Sequence, residues 1–514
     1  MPVARTRSVA LIGLAGSIVE VEADLSAQLP GFVIIGLPDA ALAEARDRVR
    51  SAAVNAGCPL PQRRLTVNLS PAALPKQGSG FDLAIALACL AAAGEVSHES
   101  IDRVVHLGEL GLDGRLRPVD GILPAVLAAA RAGHDTVMVP AANAAEAALV
   151  PGVEVIGVAS LLEAAIRHGG EYEAREVEPV PSVSGGDHAD VPPGGDLADV
   201  AGNEDAVEAL LTAAAGGHHL YLLGPPGAGK TMLASRLPGI LPDLDPDAAL
   251  EVSSIRSLSG RALGSGLMVR PPFEAPHHTA TAAAIVGGGS RVIRPGAAVR
   301  ASHGVLFLDE APEFPSAVLD VLRQPLESGT ISIHRANAIA SFPARFQLVI
   351  AANPCPCGGY GVKGSDCTCP PATRRRYLAR ISGPLLDRID LQVWVPRITT
   401  AGLRLTGDAP GLSTAEARER VIAARDVARQ RLRGTPWRTN AEMPGPWLRG
   451  PGRLHPGGRT TVELDRSLER GGITMRGYDR VLKTAWTLAD LDGATAPGRG
   501  HVGRALYLRK GIMA

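Results

Sequence analysis

The stretch 219–237 reads HLYLLGPPGAGKTMLASRL and decides the fold of the middle of the chain. An apolar run, a glycine-rich turn and a helix-forming run follow one another, which predicts a β-strand, a loop and a helix start. The loop fits the pattern GxxxxGK[ST] at every fixed position. In this pattern loop amides and the helix N-terminus surround phosphates, the lysine reaches the terminal oxygens, and the hydroxyl faces Mg²⁺. The sequence therefore predicts an ATP site formed by Gly224, Pro225, Pro226, Gly227, Ala228, Gly229, Lys230 and Thr231.

A second apolar run, GVLFLDEAPEF at 304–314, ends in two carboxylates. A buried strand that ends in Asp-Glu is weak evidence alone, but it supplies the second part that a phosphate loop requires. We expect Asp309 to hold Mg²⁺ through water, together with the hydroxyl of Thr231. Glu310 is then the candidate catalytic residue that orients and deprotonates the attacking water.

A third apolar run, FQLVIAANP at 346–354, places Asn353 at the tip of another strand. An amide there can hold the attacking water or contact the γ-phosphate, although a turn-forming Asn-Pro is the simpler interpretation. Further on, ISGPLLDRIDL and MRGYDRVLK supply Arg388 and Arg476 as candidate cations for phosphate charge. For an isolated arginine, a surface salt bridge is the common alternative.

Composition divides the chain into four parts. Residues 1–168 alternate strand-like and helix-like runs, which predicts an α/β domain that includes the N-terminus and not a signal peptide. Residues 169–198 are acidic, rich in Pro and Gly, and predict a linker. Residues 199–398 form the second α/β block. Residues 399–514 predict a helical domain, with a capping box at Ser413, a loop over 440–460 and a helix over 475–490.

Charge and cysteine use narrow the class of protein. The 514 residues carry 52 Lys+Arg and 52 Asp+Glu, which excludes a uniformly basic coat of the kind common in nucleic-acid binders. The balance is nevertheless uneven, since residues 429–514 hold sixteen Lys/Arg against seven Asp/Glu. Apolar runs fall short of the ~20 residues of a membrane span, so no membrane partner is expected. Six cysteines are too few for a disulfide scaffold, and a cytoplasmic location is expected.

Four of the cysteines fall within the hairpin-like segment 355–369, as Cys355, Cys357, Cys367 and Cys369. Two close pairs can place four thiolates around a tetrahedral Zn²⁺, while free thiols or a redox pair are the alternatives. The cations that surround this segment suit contact with a phosphate backbone, or they form an ordinary solvated face; they are Lys363, Arg374, Arg375, Arg376 and Arg380. Cys58 and Cys89 are expected in apolar cores.

These motifs, in this order, resemble the AAA+ ATPases, and more narrowly the magnesium-chelatase-like branch called the ComM (YifB) family. The narrower resemblance rests on PPFEAPHHTATAAAIVGGG at 271–289, AANPCPCG at 351–358 and the stretches quoted above, together with GLPDAALAEARDRVRSA at 36–52. It implies the α/β fold class: a Lon-protease-like N-terminal α/β domain, a P-loop AAA+ core with a parallel sheet and helices, and a helical C-terminal lid.

The resemblance also implies roles for single residues. Asn353 is expected as the sensor-1 residue, and Arg388 as the catalytic finger that reaches a neighbour's ATP in a ring, for which the resemblance implies a hexamer. Arg380 is the rival for that role. Arg476 is expected as the sensor-2 arginine on the nucleotide of its own subunit. His277 and His278 match a signature of the family, but the sequence gives them no metal site.

The function implied is an Mg-dependent ATPase motor that acts on DNA, as a helicase or branch-migration factor on recombination intermediates in DNA uptake or repair. Two other functions stay open: a motor subunit of the magnesium-chelatase type, and a nucleotide-binding scaffold without DNA activity. A third, proteolysis, is suggested by the Lon-like domain through Ser79. The lysine partner expected there is replaced by Leu123, and a serine without a base is a poor nucleophile.

Overall fold

The computed structural model describes most of the chain. The described residues are 3–36, 40–72, 74, 76, 80–181, 194–264, 266–289, 293–335, 338–361, 367–398, 411–450 and 454–510. Ser79 and Lys363 lie outside these ranges. Each helix within these ranges is too short or too polar to span a lipid bilayer.

The N-terminal domain is a mixed α/β domain. Its strands in chain order are β1 (Ala4–Ile12), β2 (Ala15–Ser26), β3 (Gly31–Ile35), β4 (Arg64–Ser70), β5 (Val105–His106), β6 (Glu109–Leu110), β7 (Leu116–Arg117), β8 (Thr136–Pro140) and β9 (Glu154–Val158). Among the described residues, seven of them form one sheet of order β3-β4-β2-β1-β5-β8-β9, and β6 and β7 form a separate hairpin. Its α-helices are Ala40–Ala56, Asp82–Ala92, His98–Asp102, Ile122–Arg131, Ala144–Ala147 and Leu161–Arg167. The helix Asp82–Ala92 is buried along its whole length, so it forms the centre of this domain's core.

The second domain contains a parallel sheet whose strands are β10 (Leu220–Leu223), β11 (Phe273–Glu274), β14 (Val305–Leu308), β17 (Gln347–Ala352) and β18 (Leu391–Trp394). Their order in the sheet is β11-β14-β17-β10-β18. Two hairpins pair β12 (Gly287–Gly288) with β13 (Arg294–Pro295) and β15 (Thr330–Arg335) with β16 (Ala338–Pro343). Its α-helices are Glu204–Gly216, Lys230–Ile240, Pro246–Leu258, Ala282–Val286, Ala297–Arg300, Ser316–Asp320, Pro325–Ser328, Pro371–Leu378 and Gly383–Leu386. Successive residues of β10 enter two different apolar clusters, so this sheet is covered on both faces.

The C-terminal region is helical, with α-helices Thr414–Arg431, Gly445–Arg449, Gly458–Glu469, Met475–Leu491 and Arg499–Lys510. The capping box predicted at Ser413 is present, since Ser413 and Glu416 exchange side-chain and backbone hydrogen bonds. The interval 440–460 differs from the expected loop because it contains the helix Gly445–Arg449. Pro446 suits the first turn of a helix, and the ring of Trp447 packs edge-on against Trp437 at 4.8 Å between centroids.

The stretch predicted as a linker ends sooner than its composition indicates. Residues 170–181 have no regular structure, but Asp196 already contacts both the second domain and the C-terminal region. Its carboxylate accepts a hydrogen bond from the amide of Thr414, and its carbonyl accepts one from Arg236. Asp196 therefore caps the turn that follows it and binds to neighbouring elements, so this end of the stretch is not a free tether.

The first two domains contact each other directly. The amides of Gly121 and Leu123 donate hydrogen bonds to Ser257, which lies on the helix Pro246–Leu258 of the second domain. Asp120 forms an ion pair with Arg294 beside them. Leu123 is fully buried, so the position at which the Lon resemblance expects a lysine is an apolar residue enclosed where the two domains meet.

Candidate active site at the carboxyl edge of the parallel sheet

The phosphate loop follows the carboxyl end of β10 and leads into the helix Lys230–Ile240. Gly229 has φ +90°, the left-handed region that glycine adopts without steric cost. At Gly224 a side chain is excluded for another reason, because a Cβ there would lie 2.2 Å from the carbonyl oxygen of Val395. The glycines of the motif are therefore required by backbone geometry, and the loop residues 224–231 form the turn that the sequence predicts.

Lys230 is buried at the start of that helix, and its Nζ atom points back along the loop. It donates hydrogen bonds to the carbonyls of Gly224 and Pro225 at 2.7 and 2.9 Å, and to Oδ1 of Asn353 at 3.0 Å. Burial lowers the pKa of Lys230, and the nearby carboxylates of Asp309 and Glu310 oppose that shift. The structure thus brings together Lys230 and Asn353, which are 123 residues apart.

Thr231 and Asp309 form the second contact of the cluster. The hydroxyl of Thr231 donates a hydrogen bond to Oδ2 of Asp309 at 2.6 Å. Hydroxyl and carboxylate oxygens are the ligands that Mg²⁺ takes from proteins beside phosphates, so this donor set fits the predicted metal. Because β10, β14 and β17 are parallel neighbours, their carboxyl ends place all of these side chains at one edge.

Glu310 adopts a strained backbone conformation beside Asp309. Its φ and ψ are +49° and 42°, the left-handed region that costs a non-glycine residue of order 1–3 kcal/mol. Its amide donates a hydrogen bond to Oδ1 of Asp309 at 2.9 Å. Its carboxylate lies 3.6 Å from Nδ1 of His278 and is half-exposed. Strain of this kind concentrates at functional sites.

The two predicted arginines lie elsewhere. Arg388 is 8% exposed, precedes the amino end of β18, and donates to the carbonyl of Pro384 and to the carboxylate of Glu327. Arg476 is exposed and lies 3.9 Å from the same oxygen of Glu327. A four-residue strand spans ~13 Å, so both arginines lie at the amino end of the sheet and away from the phosphate loop of their own chain. For Arg476 this position differs from the expected contact with its own nucleotide.

The sequence did not indicate Arg397 as a site residue, and it gave His278 no contact with the residues around the phosphate loop. Arg397 follows the carboxyl end of β18, and its Nε donates a hydrogen bond to the carbonyl of Pro226 at 3.2 Å. His278 contacts Glu310 because β11 is parallel to β14. The two-residue strand β11 is too short to detect from periodicity, whereas a rule that polar residues follow every parallel strand could have found Arg397.

The four cysteines come together as the spacing predicts. Their sulfur atoms all lie within 4.8 Å of one another. Cys355 Sγ is 3.3 Å from Cys357 Sγ and 3.7 Å from Cys367 Sγ, and four ligands at the usual Zn–S distance would be separated by ~3.8 Å. The amide of Gly359, hydrogen-bonded to Sγ, is the main cause that lowers the pKa of Cys357 to about 7. The pKa of Cys367 is raised to about 11, since the hydrogen bond from the amide of Cys369 is outweighed by burial and the neighbouring thiols. The donor set therefore fits Zn²⁺.

This cysteine cluster is packed directly on the phosphate loop. A Cβ at Gly358 would lie 2.4 Å from Cδ of Pro226. Tyr360 is half-exposed, and the guanidinium of Arg374 stacks over its ring at 3.7 Å. Arg375 and Arg376 are exposed on the same helix, Pro371–Leu378, whereas Arg380 contacts Pro312 and Glu313.

Comparison with known proteins extends over nearly the whole chain. Three family models match in chain order: Subunit ChlI of Mg-chelatase at 21–143, Magnesium chelatase, subunit ChlI at 196–403, and its C-terminal part at 411–509. An uncharacterised protein of Mycobacterium tuberculosis is 49% identical over 99% of both chains. The competence protein ComM of Haemophilus influenzae is 41% identical over 99% of this chain and 98% of its own.

A further similarity concerns the N-terminal domain alone. The Lon protease of Mycolicibacterium smegmatis is 32% identical over 143 residues, which are 26% of this chain and 18% of that protein. The Lon-like fold predicted for the N-terminal domain is thereby confirmed, as are the parallel sheet of the core and the helical C-terminal region. An ATPase function is implied by the family. The chain belongs to the ComM (YifB) family of magnesium-chelatase-like AAA+ proteins.

Proposed function

We propose that this protein is an Mg-dependent ATP hydrolase that works as a ring-shaped, cytoplasmic motor on DNA. The observation that carries the proposal is the cluster of Lys230, Thr231, Asp309 and Asn353, with Glu310 beside it, at one edge of the sheet. Lys230 and the loop amides would bind the β- and γ-phosphates. Thr231 and Asp309 would hold Mg²⁺, which neutralises charge on the phosphates.

The remaining steps belong to protein side chains. Glu310 would accept a proton from the attacking water, and Asn353 would orient that water or contact the γ-phosphate. In this structure Asn353 accepts a hydrogen bond from Lys230, so an incoming phosphate would compete for the same ammonium group. Charge that develops on the transferred phosphoryl group requires a further cation.

We propose that a neighbouring subunit supplies that cation through Arg388, with Arg476 beside it. Both arginines lie at the amino end of the sheet, and Nε of Arg388 is buried without a hydrogen-bond partner among the described residues. A contact between unlike surfaces of two copies closes a ring when the rotation permits, and the family resemblance suggests six subunits.

The DNA assignment rests on the surface beside the cysteine cluster. Arg375 and Arg376 are exposed there, and Arg374 is stacked on the half-exposed Tyr360. Exposed cations bind phosphate backbones without regard to sequence, and an aromatic ring offers a surface on which a base can stack. The ComM resemblance points to branched recombination intermediates as the substrate.

The test is ATP hydrolysis by the purified protein with and without a synthetic four-way DNA junction. We expect the junction to stimulate hydrolysis, and the double variant Arg375→Glu, Arg376→Glu to lose the stimulation. The slope of log affinity against log salt should fall by roughly 1.8, because each lost phosphate contact removes ~0.9. Arg103→Glu with Arg167→Glu makes the same charge change on the N-terminal domain and serves as the control. If DNA does not change the rate of hydrolysis and the protein does not retain DNA on a filter at low salt, the proposal that the protein acts on DNA is wrong.

We also propose that Cys355, Cys357, Cys367 and Cys369 bind one structural Zn²⁺. Cys357→Ser should lower the zinc content, measured by atomic emission, from about one per chain to near zero, because three thiolates and a hydroxyl bind Zn²⁺ far more weakly. Cys58→Ala removes a thiol buried in the N-terminal core and should leave the zinc content unchanged. If the purified parent protein contains no more zinc than Cys357→Ser, the zinc assignment is contradicted.

A further inference from the structure

The histidine pair His277–His278 is a sequence motif that the phosphate chemistry above does not use. It follows β11, which lies beside β14 at the edge of the parallel sheet, with Glu274 opposite Leu306. The strand is held in place by Glu274, whose carboxylate pairs with Arg261 and Arg300. The histidines therefore emerge at the same edge of the sheet as Asp309 and Glu310.

The two rings make different contacts. His277 Nδ1 lies 2.9 Å from the hydroxyl of Thr279 and accepts a hydrogen bond from its amide. The ring of His278 lies between that of His277, 4.0 Å away between centroids, and the edge of Phe314 at 6.5 Å. Its Nδ1 atom is 3.6 Å from Oε2 of Glu310. Neighbouring rings thus pack against His278, and its Nδ1 atom lies near the carboxylate of Glu310.

We infer that His278 is a positioning residue for Glu310, which rests on the function proposed above. A movement of less than 1 Å brings Nδ1–H of His278 to the ~2.9 Å of a hydrogen bond with Oε2. That bond holds one carboxylate oxygen, and leaves the other to accept the proton of the attacking water. A base must be held in hydrogen-bond reach of its proton to be effective, and the left-handed backbone of Glu310 alone does not fix its side chain.

The experiment compares kcat and KM for ATP in His278→Ala, His278→Asn and His278→Gln. We expect His278→Ala to lower kcat ~10-fold without changing KM. This loss is smaller than the 10²–10⁴-fold rate increase that a general base contributes, because Glu310 itself is still present. In asparagine the amide nitrogen is bonded to Cγ, as Nδ1 is in histidine, so His278→Asn should keep at least half of kcat. Glutamine places its nitrogen one bond further out and should behave as alanine does. In a Glu310→Gln background, His278→Ala should cause no further loss, because the base is already absent.

A second histidine–glutamate pair in the same domain provides the matched control. His303 Nε2 lies 2.7 Å from Oε1 of Glu251, before the amino end of β14. His303 has φ +59°, a conformation that asparagine tolerates, so His303→Asn should leave kcat within twofold of the parent. A kcat for His278→Ala within twofold of the parent, a parallel change in KM, or asparagine no better than alanine overturns the inference. A parent protein without ATPase activity overturns the proposed function, and this inference with it.

Discussion

Replacing Glu310 by glutamine is expected to reduce ATP hydrolysis at least 100-fold while ATP still binds. The amide keeps the size of the side chain but cannot accept a proton, and a general base is worth ~10²–10⁴ in rate. A 100-fold loss corresponds to about 2.7 kcal/mol of activation free energy. Lys230, Thr231 and Asp309 are untouched, so phosphate binding is preserved. Steady-state phosphate release and equilibrium binding of labelled ATP measure the two effects separately.

Glu251→Gln is the matched control for that variant, since it removes a carboxylate that also faces a histidine but lies at the other end of the sheet. It should retain parent activity. The same comparison separates a motor from a nucleotide-binding scaffold. Unchanged DNA-dependent function in Glu310→Gln would favour the scaffold, whereas a motor should bind ATP and stop.

Mixing two inactive variants is expected to restore hydrolysis. Arg388→Ala should be inactive because the proposed finger is missing, and Lys230→Ala because the phosphates lose their ammonium partner. When the two chains assemble together, some interfaces combine an intact Lys230 from one copy with an intact Arg388 from its neighbour. In a random equimolar ring with unlike contact surfaces, about a quarter of the interfaces are of this kind. Phosphate release after mixing the purified variants measures the recovery.

A second mixture shows whether the recovery requires two chains. We propose that Lys230 and Glu310 act in the same copy, so a mixture of Lys230→Ala with Glu310→Gln has no interface with a complete site and should stay inactive. If Arg388 acted within its own chain, the first mixture would also stay inactive. Recovery in both mixtures would instead indicate contamination by active protein, and it would contradict the proposal that Arg388 acts on a neighbour's nucleotide.

Local patterns predicted the parts of the site that follow one another along a strand. The turn at Gly224–Thr231, the carboxylates after β14 and the capping box at Ser413 all depend on residues near in sequence, where backbone geometry and hydrogen bonding dictate the residue types. The cysteine cluster was predictable for the same reason. Its spacing closes a short loop, and the four sulfur atoms do meet.

Features that depend on which strands become neighbours could not be predicted in this way. His278 faces Glu310 only because the two-residue strand β11 lies beside β14. The position of Arg476 depends on its helix docking at the amino end of the sheet, where Arg480 pairs with the buried Asp390. That docking depends on tertiary packing, because the amphipathic pattern of the helix does not specify which end of the sheet the helix packs against.

The carboxylate of Glu327 is shared by Arg388 and Arg476, and this has a consequence for assembly. One negative charge is opposed by two positive ones, so this group keeps an excess of about one positive charge, which would attract the triphosphate of the neighbouring copy that we propose. When that triphosphate binds, it would replace the carboxylate of Glu327 as the anion that pairs with the two arginines. The proposed ring should therefore be less stable at high salt concentration and more stable with bound nucleotide. Glu327 would hold the two arginines in an unassembled copy and release them when a neighbour's triphosphate binds.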